Sequence, residues 1–149
     1  ALCDKHIVKM PLETAQILSI INGGPYLPTH ENHPCVKWAG STQRNYTWLA
    51  EHGRELCKEY TRRYGKVHKC EAIIIRLQAP PPSIMRVGMT PFAQCMPDEY
   101  RGPSTTDAYR RYYISDKAYM ARWEHSTPPD WWFPELKKKP NNSIKEMPQ

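Results

Sequence analysis

From residue 4 the chain repeats apolar positions with a helical period. Ile7, Met10, Ile17, Leu18 and Ile21 fall within one arc at 100° per residue, which predicts a helix from about Asp4 to Ile21 with that arc in a core. Asp4 stands where a carboxylate can cap the helix N-terminus. Pro11 removes an i→i−4 hydrogen bond and either kinks this helix or opens a second segment. The run NGGP at 22–25 ends it.

Residues 25–36, PYLPTHENHPCV, read as a proline-punctuated loop. Next, Leu49, Gly53, Leu56, Cys57, Tyr60 and Tyr64 recur at helical spacing, with Ser41 or Thr42 as the cap and Gly65 at the left-handed C-terminal position. EAIIIRLQ (71–78) is too short for periodicity to separate a strand from a helical turn, and is read as extended or briefly helical. The proline-rich stretch 79–97 is a long connection, of the kind that is functional or mobile. A last helix is expected from about Thr106 to His125, capped by Ser104, Thr105 or Thr106. Its inward stripe would be Tyr109, Tyr112, Tyr113, Met120 and Trp123. An aromatic cluster, TPPDWWF (127–133), and a polar tail (134–149), expected to be disordered, follow. The fold class is all-α. The expected organisation is a helical domain over 1–133, with the middle and last helices packed on the first.

A second arc of the first helix carries His6, Lys9, Glu13 and Gln16 at steps of three, four and three. One reading makes this a solvated face with an i,i+4 Lys9–Glu13 pair. The other makes it the wall of a pocket in which Glu13 is the working carboxylate. The period alone leaves both open.

Composition changes the picture in two places. The 149 residues carry a formal charge of +6, which favours a polyanionic partner such as nucleic acid. Arg54, Lys58, Arg62, Arg63, Lys66 and Lys69 mark the middle helix, and Arg101, Arg110, Arg111, Lys117 and Arg122 the last. Either set can contact phosphates or simply solvate a helix. Nine Tyr and five Trp against two Phe suit half-exposed surfaces and base stacking, or a small core packed edge-on. The five cysteines, Cys3, Cys35, Cys57, Cys70 and Cys95, are scattered without a CxxC, which reads as free thiols in a reducing cytoplasm. No long apolar run and no secretory signal occur, so no membrane partner is expected. His30, His33 and Cys35, with Cys3, His6, His68 and Cys70 elsewhere, do not reach a zinc spacing. No metal and no cofactor are expected. No cysteine is marked as an activated nucleophile, and neither a Gly-rich phosphate loop nor a GxSxG elbow occurs. The chain opens on Ala1 rather than Met and enters a helical pattern almost at once, which reads as upstream residues missing or removed.

DKHIVKMPLE (4–13), an Asp-x-His followed by Glu nine residues after the Asp, is similar to the opening helix of the phage pyrimidine-dimer DNA glycosylases, the endonuclease V type with AP-lyase activity. MPDEYRG (96–102) resembles the segment leading into that family's last helix. SDKAYMARW (115–123), then proline and WW, resembles its C-terminal end. The chain also resembles phage proteins with motifs of the DKHVVKM, NHPC and YRYGK types, a divergent branch. The resemblance implies a compact all-helical fold, Glu13 as the catalytic glutamate and His6 as its nearby histidine. In that family a free α-amine attacks the sugar C1′, the base departs, an imine forms and β-elimination breaks the strand. An α-amine with a pKa near 8 suits that role, and a carboxylate beside the developing cation stabilises it. Leu12 and Gln16 stand where the family places arginines beside its glutamate. Lys117 matches a basic position of the last helix, with Arg122 displaced by one.

The first functional reading is therefore a phage-type DNA N-glycosylase or AP-lyase-like enzyme acting on a damaged or modified base in the host cytoplasm. Glu13 is its acid/base group, His6 positions or transfers a proton, and Lys5, Lys9, Arg101, Lys117 and Arg122 handle phosphate. The second is a non-catalytic nucleotide-binding protein on the same fold, sequestering a nucleotide signal of host antiviral defence. The third is a small virion or host-interaction protein using its Trp-rich end.

Overall fold

A computed structural model describes residues 2–26 and 30–132. The fold is all-α. Among the described residues five helices run in order: α1 (Asp4–Asn22), α2 (Pro34–Ser41), α3 (Gln43–Tyr64), α4 (Glu71–Arg76) and α5 (Thr105–Asp116), with a 3₁₀ turn at Asp98–Tyr100 before α5. No strand occurs among the described residues. The expected tail at 134–149 lies outside them.

Helix ends follow local chemistry. Gly23 (φ 79°) and Gly65 (φ 67°) close α1 and α3 in the left-handed conformation that favours glycine. The Thr42 hydroxyl accepts from Asn45 N–H (3.0 Å) and starts α3. The loop expected over 25–36 is overturned at its end. Pro34 opens α2 as an N1 proline, and the His33 ring caps it by accepting from Cys35 N–H (3.1 Å). α1 runs unbroken through Pro11. Proline deprives the Ile7 carbonyl of its donor. One residue on, the Val8 carbonyl accepts from His68 Nε2–H (2.8 Å), a tautomer fixed because His68 Nδ1 accepts from Cys70 N–H (3.0 Å).

α1 and α3 are the packed pair. At Gly53 a Cβ would sit 2.5 Å from Thr14 Cγ2, so only a glycine allows this approach. Ala15 and Leu18 of α1, Tyr46, Ala50 and Cys57 of α3, and Cys70 and Ile74 at α4 form the main core. Tyr46 Oη donates to the Leu77 carbonyl (2.5 Å) and accepts from Asn22 Nδ2. The short segment 71–76 is helical rather than extended because Ile74 is drawn into this core.

Two expectations about the ends fail for one reason. Asp4 does not cap α1. The N-cap is Cys3, without a side-chain bond. The Asp4 carboxylate is instead buried in a seam. Oδ1 accepts from Arg63 Nη1 (3.2 Å), and Oδ2 from the backbone N–H groups of Glu124 (2.6 Å) and His125 (3.1 Å). Arg63 also donates to Glu59 Oε1 (2.8 Å) and to the Leu2 carbonyl (2.8 Å). Delivering the 124 and 125 amides to Asp4 requires an irregular chain, so α5 stops at Asp116, well short of His125. Its buried positions are Ala108 and Ile114, rather than the expected aromatic stripe. α5 also does not lie along α1 as expected. It reaches the start of α1 through Tyr113 Oη, which donates to Cys3 Sγ (2.8 Å) and accepts from Cys3 N–H (3.1 Å), and through Ile114 packed near Cys3 and Trp132.

The proline-rich connection 79–97 is pinned by buried Asn45. Its Nδ2 donates to the Trp38 carbonyl (2.8 Å) and Thr90 Oγ1 (2.8 Å), and its Oδ1 accepts from Thr90 N–H (3.1 Å).

Candidate functional site

Because α5 stands off from α1, a cavity of about 960 Å³ separates them. α1 and α3 supply one wall, including Glu13, Gln16, Trp48 and His52. Trp38, Phe92, Tyr109, Tyr113 and Trp131 close the rest. This decides the helical stripe residue by residue. Glu13 and Gln16 are half-buried on the cavity wall. Lys9 is exposed, its ammonium 3.7 Å from Glu13 Oε1, a pair worth roughly 0.3–0.5 kcal/mol at the surface. His6 is half-buried and packs edge-on against Tyr113 at 5.2 Å. His6 and Glu13 lie two turns apart, about 10 Å along the axis, with Lys9 between them.

The wall is aromatic in a connected way. Trp48 stacks on His52 (centroids 4.8 Å, 12° between planes) and meets Phe92 edge-on at 4.7 Å. Trp38 lies 4.9 Å from Phe92 and 5.8 Å from Trp48. On the α5 side, the Arg110 guanidinium stands 5.6 Å over the Trp131 ring. These rings offer stacking faces for a flat, apolar group.

The titratable groups beside them are held neutral. Burial, then the charges of Lys117, Lys9 and Lys5, lower His6 below its ordinary value. Burial alone lowers His52. Burial pushes Tyr109 up to about 12 and, with its hydrogen bond to Cys3, raises Tyr113. Burial, the contact with Cys95 and the Glu13 charge push the Cys35 thiol up to about 12, so Cys35 is no ready nucleophile. Glu13 thus presents a carboxylate beside stackable rings, on a lining that also carries Glu55, Glu59, Arg63 and Arg110, and a carboxylate so placed stabilises a positive charge developing next to it.

The expected phosphate-handling residues divide. Lys5, Lys9 and Lys117 gather their charge around His6. Lys117 also lies 5.3 Å over the Tyr112 ring. Arg101 pairs with Asp98 (3.0 Å) and donates to the Met96 carbonyl (3.2 Å), and Arg122 donates to the Ala121 carbonyl (2.8 Å). Along α3, Lys58 pairs with Glu55 and Arg62 with Glu59, while Arg63 is buried in the Asp4 seam. Lys58, Arg62 and Arg63 are thus each matched by an acid of their own helix.

The wall residues Trp38, Trp48, His52 and Phe92 were not singled out by the sequence reading. They come from three segments, and the bonds of Asn45 and of Trp38 Nε1 to Thr90 bring Phe92 to the other two. The same folding sets Cys95 against Cys35, Sγ to Sγ 3.3 Å, with His33 beside them. No helix among the described residues is long and apolar enough to cross a membrane.

The family model described as pyrimidine dimer DNA glycosylase matches residues 1–72. No curated protein and no solved structure matches the chain. The matched segment contains α1, α2 and α3, and with them His6, Glu13 and the Trp38–Trp48–His52 wall. Over this segment, just under half of its length, the chain is similar to the pyrimidine dimer DNA glycosylase family.

Proposed function

We propose that the chain is a DNA N-glycosylase with AP-lyase-like chemistry, acting on a damaged or modified base. The observation that carries the reading is Glu13, on the wall of an aromatic cavity and within the segment matched by the family. Enzymes that act on a base must take it out of the stack, and a base so extruded is read by rings on either face. Trp38, Trp48, Phe92 and Tyr109 supply such rings. As the glycosidic bond breaks, positive charge grows on the sugar, and a carboxylate beside it lowers the barrier. His6, kept neutral, is able to accept a proton. Lys5, Lys9 and Lys117 present positive charge to a phosphate backbone outside the cavity, with Arg101 and Arg122 as further phosphate contacts.

A second reading, a non-catalytic nucleotide-binding protein, is favoured by one observation. Arg63 lines the cavity, and its Nη2 is buried without a hydrogen-bond partner among the described residues. An anionic group of a small ligand would satisfy it.

The test is strand cleavage on duplexes carrying a pyrimidine dimer or an abasic site, with borohydride trapping of any imine, for wild type and Glu13→Gln. The enzyme reading expects cleavage by the wild type and a loss of ~10²-fold or more in the variant, at a stability unchanged within ~0.5 kcal/mol. Absence of cleavage on both substrates, with a nucleotide retained in native mass spectrometry, overturns it in favour of the binding protein. Glu13→Gln would then shift affinity by ~1–3 kcal/mol.

A further inference from the structure

We infer that His33, Cys35 and Cys95 form a binding site for a thiophilic divalent cation, zinc first, with three protein ligands and one open position. One ligand atom from each lies within 4.8 Å of the others. The two sulfurs are 3.3 Å apart. A disulfide requires about 2.05 Å, whereas two thiolates on a tetrahedral zinc at about 2.3 Å stand roughly 3.8 Å apart. The observed separation is nearer the second geometry.

The surroundings support the set. Cys35 is positioned by the first turn of α2. Cys95 is held from the other side. Tyr109 Oη accepts from Cys95 N–H (3.2 Å) and donates to the Ala93 carbonyl (2.9 Å), so α5 fixes the backbone that presents the sulfur. His33 gives up only an exposed hydrogen bond, the one from Cys35 N–H, on turning a nitrogen to the ion. His33 and Cys35 both line the cavity, so a fourth position is available to water or to an anionic oxygen of whatever the cavity holds. No zinc spacing is visible along the chain because Cys95 lies sixty residues from Cys35. The inference is independent of the glycosylase reading.

The test is anaerobic titration of the reduced full-length chain with cobalt(II), followed by zinc competition and elemental analysis. One equivalent per chain is expected, with thiolate-to-cobalt charge-transfer absorption that zinc abolishes. Cys35→Ser and Cys95→Ser should each lose the band while keeping the wild-type circular dichroism. His33→Asn preserves an N-cap acceptor and should weaken binding beyond the roughly 10- to 100-fold cost of losing an outer-shell partner. Reduced, folded protein that takes up no cobalt overturns the inference. So does a Cys95→Ser variant that binds as the wild type. A chain that takes no cobalt when reduced, yet joins Cys35 to Cys95 in air, overturns it in favour of a redox pair.

Discussion

Replacing Asp4 with alanine should unfasten the seam that joins the two ends of the described chain. The carboxylate accepts three hydrogen bonds, from Arg63 Nη1, Glu124 N–H and His125 N–H. Asp4 and Arg63 are 8 % and 7 % exposed, so the pair is largely shielded from water. Removing one partner of a buried pair costs ~3–5 kcal/mol. Here Arg63 keeps Glu59 and the Leu2 carbonyl, and water can reach the freed amides of the exposed residues 124 and 125, so the low end applies. The expected loss is ~3 kcal/mol, about 6–12 °C in Tm for a chain of this size. Asp4→Asn keeps one acceptor oxygen but turns an amide donor on donors, and should fall about halfway. The assay is urea unfolding followed by circular dichroism and by tryptophan fluorescence, because Trp123 and Trp132 lie in the cluster beside the seam. The fluorescence transition should shift with the helical one, at an unchanged m value. A loss under ~1 kcal/mol at unchanged m would refute the claim that this carboxylate holds the seam.

Two further outcomes follow from the geometry. Gly53→Ala gains ~1 kcal/mol of helix propensity but drives a methyl onto Thr14 Cγ2. It should therefore destabilise by ~1–2 kcal/mol net, and Thr14→Ser, which removes Cγ2, should restore most of the loss; a stabilising Gly53→Ala would contradict the close approach. His6 should titrate below 6.5 by NMR, and Lys117→Gln should raise its midpoint while leaving it under 6.5, since burial is the larger cause. Because the folded form binds that proton less readily than the unfolded one, the His6 contribution to stability is present above pH 6.5 and is lost as pH falls from there through the lower folded value. A midpoint at or above 6.5 in the wild type would exclude this.

The helical period, Thr42, Gly65 and the NGGP stop made α1 and α3 readable, since those signals act within one or two turns. α2 was equally local, an N1 proline after a capping histidine, but the prolines around it suggested a loop. The end of α5 was not local. Nothing between Asp116 and His125 announces that two backbone amides are needed at Asp4, more than a hundred residues away. The site divides in the same way. Glu13 stood out because a charge recurred on an apolar helix. Trp38, Trp48, His52 and Phe92 carry no periodic mark, and their grouping depends on Asn45 and Trp38 holding Thr90. Cys95 was invisible as a neighbour of Cys35 for the same reason.

The cavity is assembled from stretches of chain that are held in different ways. Its floor, α1 against α3, cannot change shape freely, because Gly53 and Thr14 already touch and Ala15, Leu18 and Tyr46 fill the space beneath. Its roof comes from residues beyond the family-matched segment: Phe92, Tyr109, Tyr113 and Trp131. Exchanging one roof ring for a smaller or larger side chain alters the shape offered to a ligand without moving Glu13. Changes confined to residues 92–131 would thus alter what the cavity accepts while leaving the wall that carries Glu13 in place.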